Sequence, residues 1–208
     1  GHAGPFKLMR SQEFYETDLS RGFVRGFTFE MNRGMGPAAT AMLGLGHGRI
    51  PWGEDFHRMY ARLHERVTGM VAICEDLPEL HNTVTLDDTL VDSHGIPAPK
   101  ISYTLSDNSR KMLDYAVARA AEALLAGGAT DIMSEAPLGV GGWHLMGTAR
   151  MGVDPAKSVV NEWGRAHDVK NLFVIDGSIF VTSAGVNPTR TIQALALYIT
   201  DCMKKRLA

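Results

Sequence analysis

The sequence predicts an α+β fold, a largely antiparallel sheet packed on helices. Three observations carry that expectation. The composition is ordinarily globular, 45% apolar and 21% charged over 208 residues, enough for a substantial buried core. Two stretches carry apolar residues at helical spacing, from Glu54 and from Asn108. Between them, two β-rich runs, Thr83 to Leu86 and Ile101 to Leu105, flank the turn-forming Asp92-Ser93-His94-Gly95.

In chain order, Phe23 to Met31 alternates as a strand should, with Phe23, Phe27 and Phe29 on one face. Residues 34–53 are small, glycine-rich and without clear periodicity, and are expected to be irregular. From Glu54 a helix is expected, its stripe formed by Phe56, Met59, Tyr60, Leu63, Val67, Met70 and Val71. The hairpin follows. A second helix is expected from about Asn108 to Ala126, capped by Ser106 or Asp107 and ended by Gly127-Gly128. Near Glu135 the character changes: glycines crowd 139–152, and Leu172 to Ile175 reads as a fully buried strand. A last helix is expected from near Pro188 to about Arg206. A domain boundary is therefore drawn near residue 135, giving segments 1–134 and 135–208.

Several functions are disfavoured. Lys and Arg number 21 against 23 Asp and Glu, so no basic excess exists to neutralise a nucleic-acid backbone. No apolar run approaches the roughly 20 residues that a membrane span needs, and no leader pattern is visible. Cys74 and Cys202 lack metal-site spacing. His57 and His64 can share a helix face but have no third ligand, so no metal centre is expected. Gly44-Leu45-Gly46-His47-Gly48 superficially suggests a dinucleotide loop, yet Pro51 follows it rather than a helix. A flexible glycine loop is the expected reading. No GxSxG elbow occurs.

The last third holds the candidate chemistry. His144 lies between Gly141-Gly142 and Gly147, a setting that admits close backbone approach to a planar or phosphorylated group. It can serve as a general base near neutral pH, or be a core histidine hydrogen-bonded among glycine turns. Asn187-Pro188 can simply start the last helix. A helix start at Pro188-Thr189 is also a ready site for an anion. Asp176 can cap a local turn, or with the Gly177 amide hold a ligand at the end of a strand.

Together these segments resemble the C-terminal part of the glucose-methanol-choline (GMC) flavin oxidoreductases. The resemblance rests on four ordered blocks: residues 144–152 (HLMGTARMG), Ser158-Val159-Val160, residues 171–178 (NLFVIDGS) and residues 187–192 (NPTRTI). A weaker likeness reaches back over Asn82 to Leu105. The HxxGT and Asn-Pro-Thr forms are closest to the gluconate-dehydrogenase and pyranose-oxidase branch. Phe180-Val181-Thr182 stands where Phe-Pro-Thr is common, a minor departure.

The resemblance implies an FAD enzyme that oxidises a primary or secondary alcohol, of sugar or polyol type, to a carbonyl. His144 would take the hydroxyl proton and Asn187 would hold the substrate oxygen while hydride passes to the flavin. Asp176 and Gly177 would lie near the ribityl chain and pyrophosphate of FAD, and Pro188-Thr189 would stabilise charge on the reduced ring. On this likeness residues 1–134 are a portion of a substrate-binding domain. Residues 135–208 are the C-terminal strand-helix return segment of an FAD-binding domain. The family's dinucleotide fingerprint, which precedes these motifs by hundreds of residues, is missing. The expected partners are an alcohol or sugar and a missing N-terminal FAD-binding half, without which FAD would not be retained. The electron acceptor and the compartment are left open. The alternative is a stand-alone substrate-binding or interaction module without catalysis.

Overall fold

The structure, a computed structural model, describes residues 9–32, 34–139 and 143–207. It forms two compact units, Gly1–Cys74 with Lys111–Gly139, and Glu75–Arg110 with Val140–Ala208.

In the first unit, β1 (Met9–Ser11), β2 (Phe27–Asn32) and β3 (Gly69–Cys74) form an antiparallel sheet in the order β1-β2-β3. Phe29 lies opposite Ser11 on one side and Ala72 on the other. Phe27 and Phe29 share a face and are buried with Phe23 against Met112 and Ala116. Those two residues belong to α3 (Asp107–Ala126), so the sheet packs on a helix as expected. Phe14 stacks on Phe27 at 5.2 Å and meets Tyr115 edge-on at 5.9 Å, completing an aromatic core. The strand begins only at Phe27. Phe23 joins the same core from a bend that precedes it.

Two expectations are corrected here. Residues 34–53 are not irregular, for α1 (Pro37–Gly46) occupies half of them. Pro37 sits in its first turn, and the alanines and leucines that follow are strong helix formers. The helix is apolar on most sides, so it carries no readable stripe. Its glycine run is a helix end rather than a flexible loop. The Gly44 carbonyl accepts from Arg49 N–H at 2.7 Å and Ile50 N–H at 2.9 Å. A Cβ on Gly44 would lie 2.3 Å from Ile50 Cδ1, so only glycine lets Ile50 seat there.

The second correction is that the helix from Glu54 does not run to Val71. It is α2 (Phe56–Leu63), and Met70 and Val71 belong to β3. Glu65 at φ +62° breaks the helix, and the β-branched Val67-Thr68 favour extended chain.

In the second unit, β4 (Thr83–Val91) pairs with β5 (Pro97–Ser102) in a hairpin as expected, although the second strand starts at Pro97 and ends at Ser102 rather than spanning Ile101 to Leu105. Asp92 Oδ1 accepts from the N–H groups of His94 at 2.8 Å and Ile96 at 3.0 Å, and Gly95 supplies φ +78°. At its base, Asn82 closes the strands by a two-way exchange with the Thr104 backbone, at 2.8 and 3.2 Å. The helix α3 starts at Ser106, whose carbonyl accepts from Arg110 N–H and whose Oγ accepts from Ser109 N–H. It ends at Gly128 in the left-handed conformation, as the sequence indicates.

The last helix is α4 (Thr189–Leu207), whose buried Ile199 packs with Val160, Ala166 and Ile179. Leu172 to Ile175 is not a buried strand. It makes one bridge, Arg165 with Phe173, and Leu172 and Ile175 are 48% and 36% exposed. An apolar run becomes a buried strand only where neighbours pair with both edges. Here the local partner is the turn at 161–166, with Val174 N–H donating to Gly164 O at 2.7 Å.

Candidate functional site

All six residues singled out above lie in the second unit. His144 heads a segment that runs alongside a short 3₁₀ turn, Gly177–Ile179. Gly147 N–H donates to Gly177 O at 3.2 Å, Ala149 N–H to Ser178 O at 2.8 Å, and Met151 N–H to Ile179 O at 2.8 Å. The HxxGT motif and the Asp-Gly-Ser motif are thereby locked side by side. Gly147 has φ +86° and faces Phe180 O, which a Cβ would approach to 3.2 Å. A glycine is required at that position on both counts.

His144 is exposed and sits at φ +65°. Within the described residues it is not packed in a core. Left-handed backbone is costly for a non-glycine residue, roughly 1–2 kcal/mol. The flanking Gly141-Gly142, which the sequence suggested as an approach to a ligand, lie outside the described residues.

Asp176 caps the 3₁₀ turn. Its Oδ1 accepts from Ser178 Oγ–H at 2.6 Å and Ser178 N–H at 2.8 Å. The hydroxyl bond first and the amide second hold this carboxyl below its ordinary value of 3.8, so it is an ionised acceptor. Asp176 is exposed, and its turn-capping role is therefore compatible with contact to a ligand.

Asn187 is exposed and Pro188 is buried. Ile192 N–H donates to Pro188 O at 3.0 Å, which places Pro188 at the cap of α4 and Asn187 just outside it. The N–H groups of Thr189, Arg190 and Thr191 precede the intrahelical ladder and carry the positive end of the helix dipole. Thr189 and Arg190 are exposed, so that end of the helix faces outward.

Gly177 is where the three segments meet. A Cβ built there would lie 3.2 Å from Ile192 Cδ1, 3.4 Å from Leu145 O and 3.5 Å from Met146 Cγ. The residue after His144, the residue after Asp176 and the first turn of α4 thus converge on one point. Sequence motifs separated by more than 40 positions are one local arrangement.

Two features escaped the sequence. Ser158 Oγ donates to Asp154 O at 2.6 Å and lies 3.0 Å from His167 Nε2, a pair that braces the 154–167 turns. Asp76 is the second. Its carboxylate accepts from Ser109 Oγ–H and from Tyr103 O–H at 2.7 Å, and its carbonyl accepts from Ser183 Oγ–H at 2.9 Å. Contacts across 107 positions leave no local signal. Among the described residues, no group of His, Cys, Asp and Glu is arranged to hold a metal ion. No helix among them is long and apolar enough to cross a membrane.

The HxxGT loop, the Asp-Gly turn and the first turn of α4 thus meet at one glycine of an α+β unit. The sequence profile of the GMC oxidoreductases matches residues 78–196. The chain is 42% identical over 216 positions to the 2-methyl-1,2-propanediol dehydrogenase of Mycolicibacterium austroafricanum, covering 100% of this chain and 38% of that protein. It is 42% identical to the paromamine 6'-oxidase of Streptomyces fradiae, over 69% of this chain and 27% of that one. It is 35% identical to the fructose dehydrogenase large subunit of Gluconobacter japonicus, over 62% and 24%. The chain belongs to the GMC oxidoreductase family, and it spans 38% or less of the length of these relatives.

Proposed function

We propose that the chain is the C-terminal part of an FAD-dependent enzyme that oxidises an alcohol to a carbonyl. The observation that carries this reading is the convergence of the His144 loop, the Asp176-Gly177 turn and the start of α4 around Gly177. The relatives' names give a propanediol, paromamine and fructose, so a sugar or polyol is the substrate class favoured here.

The residues present suit the cofactor's chemistry. An ionised Asp176 is an acceptor for a ribityl or phosphate-side hydroxyl. The N–H groups at the start of α4 suit an oxygen that gains negative charge. When bound, the flavin supplies the acceptor for hydride from the substrate carbon. His144 takes the substrate hydroxyl proton on an unprotonated ring nitrogen, which raises electron density at the carbon that loses hydride. The Asn187 side-chain amide donates to the same substrate oxygen and fixes its direction. The N–H groups of Thr189 to Thr191 favour negative charge placed before them.

The second segment, residues 135–208, is the part we assign to the flavin-binding domain, with residues 1–134 in the substrate-binding portion. Both sheets of the described residues are antiparallel, and the glycine run Gly44–Gly48 closes a helix rather than opening one. Among the described residues no strand-loop-helix unit is placed to cradle the pyrophosphate. We therefore assign tight FAD binding to the complete protein, with the adenosine end held by residues outside this chain.

The test is alcohol-dependent dye reduction by the complete flavoprotein against a panel of diols and sugars. His144→Ala is expected to lower kcat about a hundredfold or more while the flavin stays bound. A wild-type rate in that variant would remove His144 from the reaction.

A further inference from the structure

The sheet of the first unit has two edges, and they differ. The β1 edge, Met9–Ser11, is three residues long and carries Arg10, which is ion-paired with Glu30. A short, charged strand is a guarded edge that does not invite another strand. The β3 edge, Gly69–Cys74, is unguarded, for Gly-Met-Val-Ala-Ile-Cys has no charge and no proline. Its register with β2 is unbroken from Asn32↔Gly69 to Phe27↔Cys74, so no bulge twists it away. Among the described residues β3 pairs with β2 alone. Alternate residues of an antiparallel strand turn their N–H and C=O groups away from the neighbour, so β3 offers a row of them outward.

The side chains of β3 are those of an interior strand. Met70, Ala72 and Cys74 pack toward the phenylalanine core. Val71 and Ile73 alternate to the other face, where their partners in β2 are Glu30 and Thr28, both buried. A strand with one solvated face alternates apolar and polar residues, whereas a strand apolar on both faces belongs within a sheet.

We propose that the sheet continues past β3 through a further strand, supplied by the part of the complete protein that lies outside these 208 residues. This rests on the reading of the chain as the C-terminal part of a longer protein. The relative that aligns with the whole chain, β3 included, is more than twice as long, so a protein of that size holds ample further strand. A strand on the same polypeptide meets β3 as an intramolecular partner, at an effective concentration that a second copy does not reach. The occupant is an apolar strand of about six residues, matched in length to β3. The substrate-binding portion is then built jointly by this chain and the rest of the protein.

The experiment uses the complete flavoprotein and makes two measurements. The first is residue-resolved amide hydrogen exchange across β3. Both alternate sets, Met70 with Ala72 and Val71 with Ile73, are expected to exchange about a thousandfold or more slowly than unstructured chain. Protection of one set alone makes β3 an edge in the complete protein and overturns the proposal. The second replaces the methionines by their photoreactive diazirine analogue and maps the cross-links formed from Met70, in a mixture of unlabelled and ¹⁵N-labelled protein. Cross-links joining β3 to a segment outside these 208 residues, always of the same isotope, are expected. Mixed-isotope cross-links assign the edge to a second copy and overturn the proposal, as do cross-links confined to these 208 residues or none at all. Flavin content of the same sample tests the flavoprotein reading separately. If no flavin is bound, that reading fails while both measurements on β3 still decide the strand.

Discussion

His144 carries its side chain from left-handed backbone, three positions before the left-handed Gly147, and it is exposed. The HxxGT motif thus marks backbone geometry as much as chemistry. Asp176 is similar: its carboxylate caps a turn and stays ionised because Ser178 bonds it twice. Ser178→Ala removes the larger of those bonds and should raise the Asp176 pKa back toward 3.8, readable by carboxylate NMR titration. A depressed carboxyl pKa contributes stability above its unfolded value, and the contribution is lost as pH falls through the folded one. Unfolding of the second unit should therefore lose some pH dependence below pH 3.8 in the Ser178→Ala variant. The candidate residues are legible as residue types in order. The Ser183–Asp76 bond is not, because a serine and an aspartate 107 positions apart carry no pattern.

Helices with caps and a stripe, and turns with their own chemistry, could be read directly. The helix α3 has Ser106 before it and Gly128 after it, and the β4-β5 hairpin has Asp92 and Gly95 at its turn. Where the pattern failed, the cause was physical. The helix α1 is apolar around most of its surface, so it has no period. The stripe of α2 runs into β3, because Met70 and Val71 fit a helical count and a strand equally well. Leu172 to Ile175 has a buried strand's composition without its pairing partners among the described residues. Packing gives two tests at this scale. Met112 is fully buried against the phenylalanine core, and Met112→Ala should cost about 2–5 kcal/mol in urea denaturation. Gly164 has φ +68°, and a Cβ there would lie 2.4 Å from Val174 O. Gly164→Ala should destabilise by more than about 1 kcal/mol and loosen amide protection at Val174.

At the scale of the molecule, the chain folds into two units that are each built from separated stretches of sequence. The first has a sheet on a helix with an aromatic core, and the second gathers the motif-bearing loops around Val160, Ile179 and Ile199. Neither sheet has the parallel strand-helix-strand arrangement that grips a dinucleotide. The 208-residue chain, purified alone and passed over gel filtration with FAD, is expected to elute colourless. Stoichiometric yellow protein would contradict the assignment of the adenosine end to other residues.

The claim that His144 accepts the substrate proton is tested most directly by chemical rescue. His144→Ala of the complete flavoprotein is assayed for alcohol-dependent dye reduction with and without added imidazole, with flavin content measured in parallel. Full flavin content is expected, with a rate lowered about a hundredfold or more and partial recovery that grows with imidazole concentration. A variant that keeps its flavin and turns over at the wild-type rate without imidazole would contradict it.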